Sequence, residues 1–164
     1  MFNPQRLIFL HGLFGSSQGF KARLLRSQFP EMVIPDFKGD LEERMAQLAP
    51  VLEQFPEWTV IGSSFGGLMA ALVACRQPRL VRKLVLLAPA LIWPDFAADP
   101  PGPVDVPTLA YHGHLDDLIS LAAVQPLLEK VFNNLELHVV ADDHSLHETV
   151  TGLDWPALLS LETP

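Results

Sequence analysis

Residues 58–67 read Trp58-Thr59-Val60-Ile61-Gly62-Ser63-Ser64-Phe65-Gly66-Gly67. The apolar run before the glycines is typical of a buried strand, and the apolar run 68–75 after them is typical of a buried helix. The pattern Gly-x-Ser-x-Gly between a strand and a helix places its serine on a sharp turn at the top of a sheet. Glycines on both sides of that turn avoid the crowding that a Cβ would cause. The sequence therefore predicts that Ser64 is an exposed nucleophile. The alternative is a plain Gly/Ser turn that leads into a buried helix.

Apolar runs that predict strands alternate with helical patterns along the chain. The predicted strands are residues 7–10, 32–35, 58–61, 83–88, 108–112 and 136–140, and the predicted helices lie near 19–29, 41–55, 64–77, 120–132 and 155–161. Most of these strands are apolar nearly throughout, so both faces of the sheet are expected to be buried. The β-α-β-α order predicts a mostly parallel, six-stranded sheet with helices on both faces. Pro50 and Pro126 predict a kink or a break in two of the helices.

The composition restricts the classes of protein and partner. A chain of 164 residues with 49% apolar residues and positive mean hydropathy is expected to fold as one domain over residues 1–164. No apolar run reaches the length of a membrane span. The net charge of −8 disfavours nucleic acid and anionic membrane surfaces as partners. A single cysteine, Cys75, and no N-terminal signal pattern indicate a cytoplasmic protein. The sequence does not indicate an oligomeric state.

A serine nucleophile needs a base, and the chain has six histidines. His144 lies in the loop after the last predicted strand, which places it at the same edge of the sheet as Ser64. His147 lies three residues further on and is the alternative base. His11 and His112 precede glycines at strand ends, so structural roles are expected for both.

The base in turn needs an acid that orients its ring. Asp116 and Asp117 follow the fifth predicted strand, one strand before His144, so either carboxylate can reach the imidazole. The alternative is an acidic turn that caps the helix after Ser120. The chain order would then be Ser, Asp, His.

Backbone N–H groups that could stabilise an oxyanion are expected in the loop after the first strand, which reads His11-Gly12-Leu13-Phe14-Gly15-Ser16. Leu13 is the favoured donor there, Phe14 is the alternative, and the second donor is Phe65, the residue after the nucleophile. The loop lacks the glycine patterns of phosphate-binding loops. No cluster of Cys and His at metal-ligand spacing is found, so no metal or cofactor is expected. Four apolar residues of the loop after the fourth strand form a cluster: Leu91, Ile92, Trp93 and Phe96. They line an acyl pocket, form a lid that packs on Phe14 and Phe20, or belong to the core.

Four motifs together resemble the α/β-hydrolase superfamily over essentially the whole chain. They are Leu10-His11-Gly12, Gly62–Gly66, Gly113-His114-Leu115-Asp116 and Asp143-His144-Ser145. The third motif is similar to the family's G-x-x-D acid turn and implies that Asp116 is the acid. The short length, the Gly-Ser-Ser elbow and residues 15–17 most resemble the small bacterial esterases of the YqiA type. The resemblance implies a minimal α/β-hydrolase fold without a cap domain, with the first strand between the second and the third.

The residues and the resemblance together predict a serine hydrolase that cleaves a small carboxylic ester through an acyl-serine intermediate. Ser64 would be the nucleophile, His144 the base and Asp116 the acid. Leu13 and Phe65 would form the oxyanion hole, and Phe14 and Trp93 would contact the substrate. An acyl-thioester hydrolase is the nearest alternative. A non-catalytic ligand-binding protein of the same fold is the alternative from another class.

Overall fold

A parallel sheet of five strands organises the computed structural model, which describes Asn3 and residues 6–160. Its strands are β1 (Leu7–Leu10), β2 (Trp58–Ser63), β3 (Val81–Leu87), β4 (Thr108–Gly113) and β5 (Leu135–Val140). They lie side by side in sequence order, and each neighbouring pair is parallel. All carboxyl ends of the strands therefore meet at one edge of the sheet.

Helices cover both faces of this sheet, as the apolar strands predict. They are α1 (Phe20–Gln28), α2 (Leu41–Leu52), α3 (Phe65–Arg76), α4 (Pro94–Ala98), α5 (Leu121–Val131), α6 (His147–Gly152) and α7 (Trp155–Leu159). Ile8 and Leu10 share one core cluster with apolar residues of α2 to α5, whereas Leu7 and Phe9 share the other with residues of α1, α6 and α7. This division follows from the alternation of side chains along a strand. Within the described residues, no helix has the length and apolar character that a bilayer span requires.

The predicted strand at residues 32–35 is reduced to one bridge, so the prediction of six strands is not confirmed. Val33 pairs with Ile8 in parallel: its N–H donates to Leu7 O at 2.8 Å, and its carbonyl accepts from Phe9 N at 3.0 Å. Pro35 lacks an N–H and cannot extend this ladder. The segment nevertheless lies beside β1, opposite β2.

Neither proline-containing helix is split by its proline. Pro50 lies in the last turn of α2, and Pro126 lies near the middle of α5. Each proline removes one N–H donor, while the other bonds of the helix and its buried apolar face remain. A capping box further stabilises α2: Asp40 Oδ1 accepts from Glu43 N at 2.9 Å, and Glu43 Oε2 accepts from Asp40 N at 2.8 Å.

The chain reverses its direction of winding around β1. It passes from β1 to Val33 on one side and then returns to β2 on the other. In an open parallel sheet, the crevice beyond the carboxyl ends at such a reversal is the usual place for a ligand. The loop after β1 is anchored at this crevice, because Ser17 N and Oγ donate to the two Asp36 oxygens at 2.6 and 2.8 Å.

Candidate active site

Ser64 occupies a strained turn between β2 and α3. Its φ of 54° and ψ of −114° lie in a region that L-residues rarely adopt and that costs roughly 1–3 kcal/mol. Its N–H donates to Leu87 O at 2.9 Å, and its carbonyl accepts from Gly67 N and Ala90 N, both at 2.9 Å. These bonds hold the serine at the carboxyl edge of the sheet and leave its hydroxyl facing the crevice cavity.

The glycines around Ser64 are required by close backbone approach. A Cβ on Gly66 would lie 2.0 Å from Leu10 O, and a Cβ on Gly62 would lie 2.4 Å from Gly66 O. Both separations are far below contact distance, so α3 can begin directly against the ends of β1 and β2 only if both positions are glycine. The turn thus confirms the strand–turn–helix setting that the sequence predicts.

The structure brings Ser64, His144 and Asp116 together. His144 Nε2 lies 3.1 Å from Ser64 Oγ, and His144 Nδ1 lies 2.8 Å from Asp116 Oδ2. Because an ionised carboxylate only accepts hydrogen bonds, this arrangement places the imidazole proton on Nδ1. Nε2 is then free to accept the hydroxyl proton of Ser64.

Asp116 is held by its own loop and is fully buried, with 0% of its side chain exposed. Its Oδ1 accepts from Leu118 N at 3.0 Å and from Ile119 N at 2.8 Å. Its Oδ2 lies 2.8 Å from His144 Nδ1 and 3.4 Å from Nε2 of the buried His112. Asp117, in contrast, is exposed. The structure therefore places Asp116, not its neighbour, against the imidazole.

The other candidate histidines have different surroundings. His147 lies at the start of α6, where its ring packs on Phe20 with centroids 4.1 Å apart. His11 accepts from Phe37 N at 3.0 Å through Nε2. Buried His112 Nε2 donates to Ile119 O at 2.7 Å and also lies 3.4 Å from Asp116 Oδ2. His11 and His112 thus fasten loops at the strand ends, in agreement with the structural roles expected for them.

The two proposed oxyanion donors line the same cavity as Ser64. Phe65 is the first residue of α3, so its N–H has no partner within the helix. Within the described residues, neither the Leu13 nor the Phe14 N–H makes a backbone hydrogen bond, so the choice between them stays open. Gly12 faces Ser64 across the crevice, because a Cβ there would lie 3.6 Å from the Ser64 Cβ.

Arg44 supports this region, and the sequence interpretation did not identify it. Its guanidinium, on α2, is buried and donates from Nη2 to Leu13 O at 3.2 Å and from Nε to Gly39 O at 2.9 Å. The guanidinium carbon also lies 5.3 Å from the centre of the Phe65 ring. One side chain therefore contacts both residues that were predicted to form the oxyanion hole.

A cavity of about 580 Å³ opens over Ser64. Phe14, Ile92 and Trp93 line it, and all three are partly or fully exposed, Phe14 to 98%. Trp93 packs edge-on against Phe65, with ring centroids 5.3 Å apart. Leu91 and Phe96, from the same loop, belong to the core instead. The apolar patch around Trp93 is thus divided between the cavity and the core.

Charged groups border the cavity on the His144 side. Burial lowers the pKa of Lys21, which lines the cavity, while the charges of Asp142 and Asp143 oppose that shift. Burial disfavours the charged form of Asp142, but hydrogen bonds, above all from Thr149, outweigh it and lower its pKa. Hydrogen bonds from Ser145 lower the pKa of Asp143. Among the described residues, no group of three His, Cys, Asp or Glu side chains could hold a metal ion.

Comparison with known proteins agrees with this architecture. A family model described as alpha/beta hydrolase fold matches residues 52–105. The chain superposes on Est1E from Butyrivibrio proteoclasticus, solved with ferulic acid bound, with a TM-score of 0.75 and 17% identity over 91% of this chain and 86% of that one. The chain also superposes on mouse alpha/beta hydrolase domain-containing protein 10, with a TM-score of 0.74 and 16% identity over 94% of this chain and 90% of that one. A third structure is an alpha/beta hydrolase enzyme from the metagenome of lagoon sediments at Mar Chica, Morocco. It superposes with a TM-score of 0.72 and 18% identity over 93% of this chain and 87% of that one.

The chain has the α/β-hydrolase fold. The similarity covers most of each chain. Within this α/β-hydrolase fold, the parallel sheet and its two helical layers agree with the sequence prediction. The nearer likeness to YqiA-type esterases stays a prediction.

Proposed function

We propose that the protein is a serine hydrolase that cleaves small carboxylic esters through an acyl-Ser64 intermediate. The observation that carries this proposal is the His144 ring, which is hydrogen-bonded to Ser64 on one side and to buried Asp116 on the other. A hydroxyl needs an adjacent oriented base to act as a nucleophile at neutral pH. The positive φ of Ser64 adds support, because such strain persists where the surrounding structure enforces it.

The proposed reaction has two halves. Ser64 Oγ attacks the ester carbonyl carbon while its proton passes to His144 Nε2. The tetrahedral intermediate then expels the alcohol oxygen, which takes that proton from His144. In the second half, water attacks the acyl-serine and gives a proton to His144, which returns it to Ser64 as the acid leaves. Asp116 holds the ring and stabilises the imidazolium, and it remains ionised throughout.

The developing oxyanion would be bound by backbone N–H groups. The Phe65 N–H at the start of α3 and the N–H of Leu13 or Phe14 are the candidate donors. The N-terminal end of α3 adds the positive end of the helix dipole to the same place. Preorganised donors of this kind contribute about 10²–10³ to the rate.

The activity is tested with 4-nitrophenyl acetate and butyrate, together with acetyl and butyryl thioesters of N-acetylcysteamine. We expect enzyme-dependent hydrolysis of the oxygen esters that is lost in Ser64→Ala. Faster turnover of the matched thioesters would instead support the thioesterase alternative. Binding of the acyl compounds without turnover of either series would contradict the proposal and favour a non-catalytic binder.

Arg44 is expected to position the oxyanion loop. Arg44→Met keeps an unbranched apolar stem but removes both hydrogen bonds and the charge near Phe65. We expect kcat on 4-nitrophenyl butyrate to fall by about tenfold to a hundredfold with little change in KM, because the misplaced donors act on the transition state. Arg76→Met is the matched control, since the Arg76 side chain is 52% exposed. An unchanged kcat in a folded Arg44→Met protein would contradict the positioning role.

We further propose that no cap encloses the site, so the acyl chain meets only a small apolar wall. Each buried methylene contributes about 0.8 kcal/mol, or about fourfold in kcat/KM. We expect kcat/KM to rise over the first few carbons of a 4-nitrophenyl ester series and then level. Trp93→Ala should flatten this rise, whereas Val139→Ala, a control on β5 outside the cavity, should not. A steady rise to long fatty-acyl chains would show that something covers the substrate.

We propose a cytoplasmic location and a small-molecule partner. Cys75 is the single cysteine, and burial raises the pKa of its thiol to about 11, which disfavours the thiolate form. The proposed chemistry uses only side chains and backbone groups of this chain. Activity is therefore expected to persist in EDTA.

A further inference from the structure

Lys21 is a cation in the catalytic cavity that the proposed mechanism does not use. It is the second residue of α1, is partly buried, and lines the cavity together with Ser64 and His144. Within the described part of the chain, its ammonium has no hydrogen bond and no ion pair. Its three donors are therefore available to a bound molecule.

The acidic residues nearby do not satisfy Lys21. Asp142 accepts from Thr149 N and Oγ1 at 2.9 and 2.8 Å, and Asp143 accepts from Ser145 N and Oγ at 2.9 and 2.6 Å. The hydrogen bonds of both carboxylates thus stabilise the segment around His144. Their charges still act on Lys21 at longer range. Lys21 is partly buried, and this burial lowers the pKa of its ammonium group. A bound anion would offset this desolvation.

The position of Lys21 favours one side of the substrate. Phe20, the residue before Lys21, packs its ring on His147, three residues after His144, with centroids 4.1 Å apart. Asp142 and Asp143, whose charges act on Lys21, directly precede His144. His144 must deliver its proton to the leaving oxygen, so the alcohol part of the ester lies on the His144 side. We assign the acyl part to Phe14, Ile92 and Trp93, the apolar side chains that line the same cavity.

We propose that Lys21 binds an anionic group, a carboxylate or a phosphate, on the alcohol part of the ester substrate. This inference rests on the proposed function of the same cavity. Lysine suits either anion, because it acts as a compact point charge with rotatable donors. The natural substrate would then be a small acyl ester of an acidic alcohol.

Three acetyl esters of similar phenols test the proposal. They are 4-acetoxyphenylacetate, 4-acetoxybenzylphosphonate and the neutral 4-acetoxyphenylacetamide. We expect wild type to show a kcat/KM about tenfold higher for at least one anionic ester than for the neutral one. The better of the two anions identifies the headgroup. Lys21→Met should bring the anionic-to-neutral ratio close to one, and Lys21→Glu should invert it.

Controls separate this inference from a structural role of Lys21 and from the proposed function itself. Lys130→Met, an exposed lysine on α5, should keep the wild-type ratio. Equal losses on all three esters in Lys21→Met would show that Lys21 only supports the acidic loop, and would overturn the inference. A wild-type ratio near one, or a preference for an anion on the acyl part in 4-nitrophenyl monoglutarate over its amide, would also overturn it. If wild type hydrolyses none of the esters, the proposed function fails instead.

Discussion

Ser64→Ala is expected to lower kcat on 4-nitrophenyl esters by about 10⁴-fold or more while the fold stays intact. The change removes the attacking oxygen but leaves the cavity and the backbone donors, so substrate binding should survive. Alanine must also adopt the positive φ of this turn, so circular dichroism and the melting temperature need to be measured together with kcat. Initial rates over a wide range of enzyme concentration would detect the small residual activity.

Ser63→Ala is the matched control for this loss. Ser63 is the adjacent residue, ends β2 and is buried, and in the described structure its side chain makes no hydrogen bond with His144. We expect it to keep most of the activity. An inactive Ser63→Ala together with an active Ser64→Ala would mean that the serine of the elbow has been misassigned.

Asp116→Asn is expected to lower kcat by about 10³–10⁴-fold. The two backbone N–H groups of Leu118 and Ile119 need an oxygen as their acceptor, so the amide oxygen of the asparagine would stay on them. Its NH₂ group would then face His144 Nδ1 and donate to it. This forces the imidazole proton onto Nε2, which can no longer accept a proton from Ser64.

Asp117→Asn tests whether this loss is specific. Asp117 is exposed, so its change should leave kcat within about twofold of wild type. Comparable small losses in both variants would contradict the role of Asp116. Kinetics of the two variants on one ester, with unfolding curves for each, make this comparison direct.

The sequence is most informative where one chemical requirement acts on neighbouring residues. The glycines of residues 62–67 predict the elbow because helix and strand backbones meet there with no room for a Cβ. Asp116 follows one predicted strand and His144 follows the next. If these two strands are parallel neighbours, the two residues lie close together at the same edge of the sheet. The pairing of β4 with β5 confirms this. The choice between Asp116 and Asp117 required the resemblance to known motifs, because burial decides it and the sequence alone leaves both open.

Other features depend on packing that no local pattern records. Residues 32–35 are apolar enough for a strand, yet Pro35 limits their pairing to a single bridge. Arg44 could have been noticed, since it lies three residues after Leu41 and four before Leu48, on the apolar face of α2. Lys21 gives no such signal, because its place in the cavity depends on how α1 packs against the loop before α6.

The identity of the nucleophile is measured most directly with a fluorophosphonate probe. Wild-type protein is treated with the probe, and the modified residue is located by mass spectrometry of its peptides. We predict one adduct on Ser64, lost in Ser64→Ala, retained in Ser63→Ala and formed much more slowly in Asp116→Asn. An unlabelled wild-type protein, or an adduct on any other residue, would contradict the account.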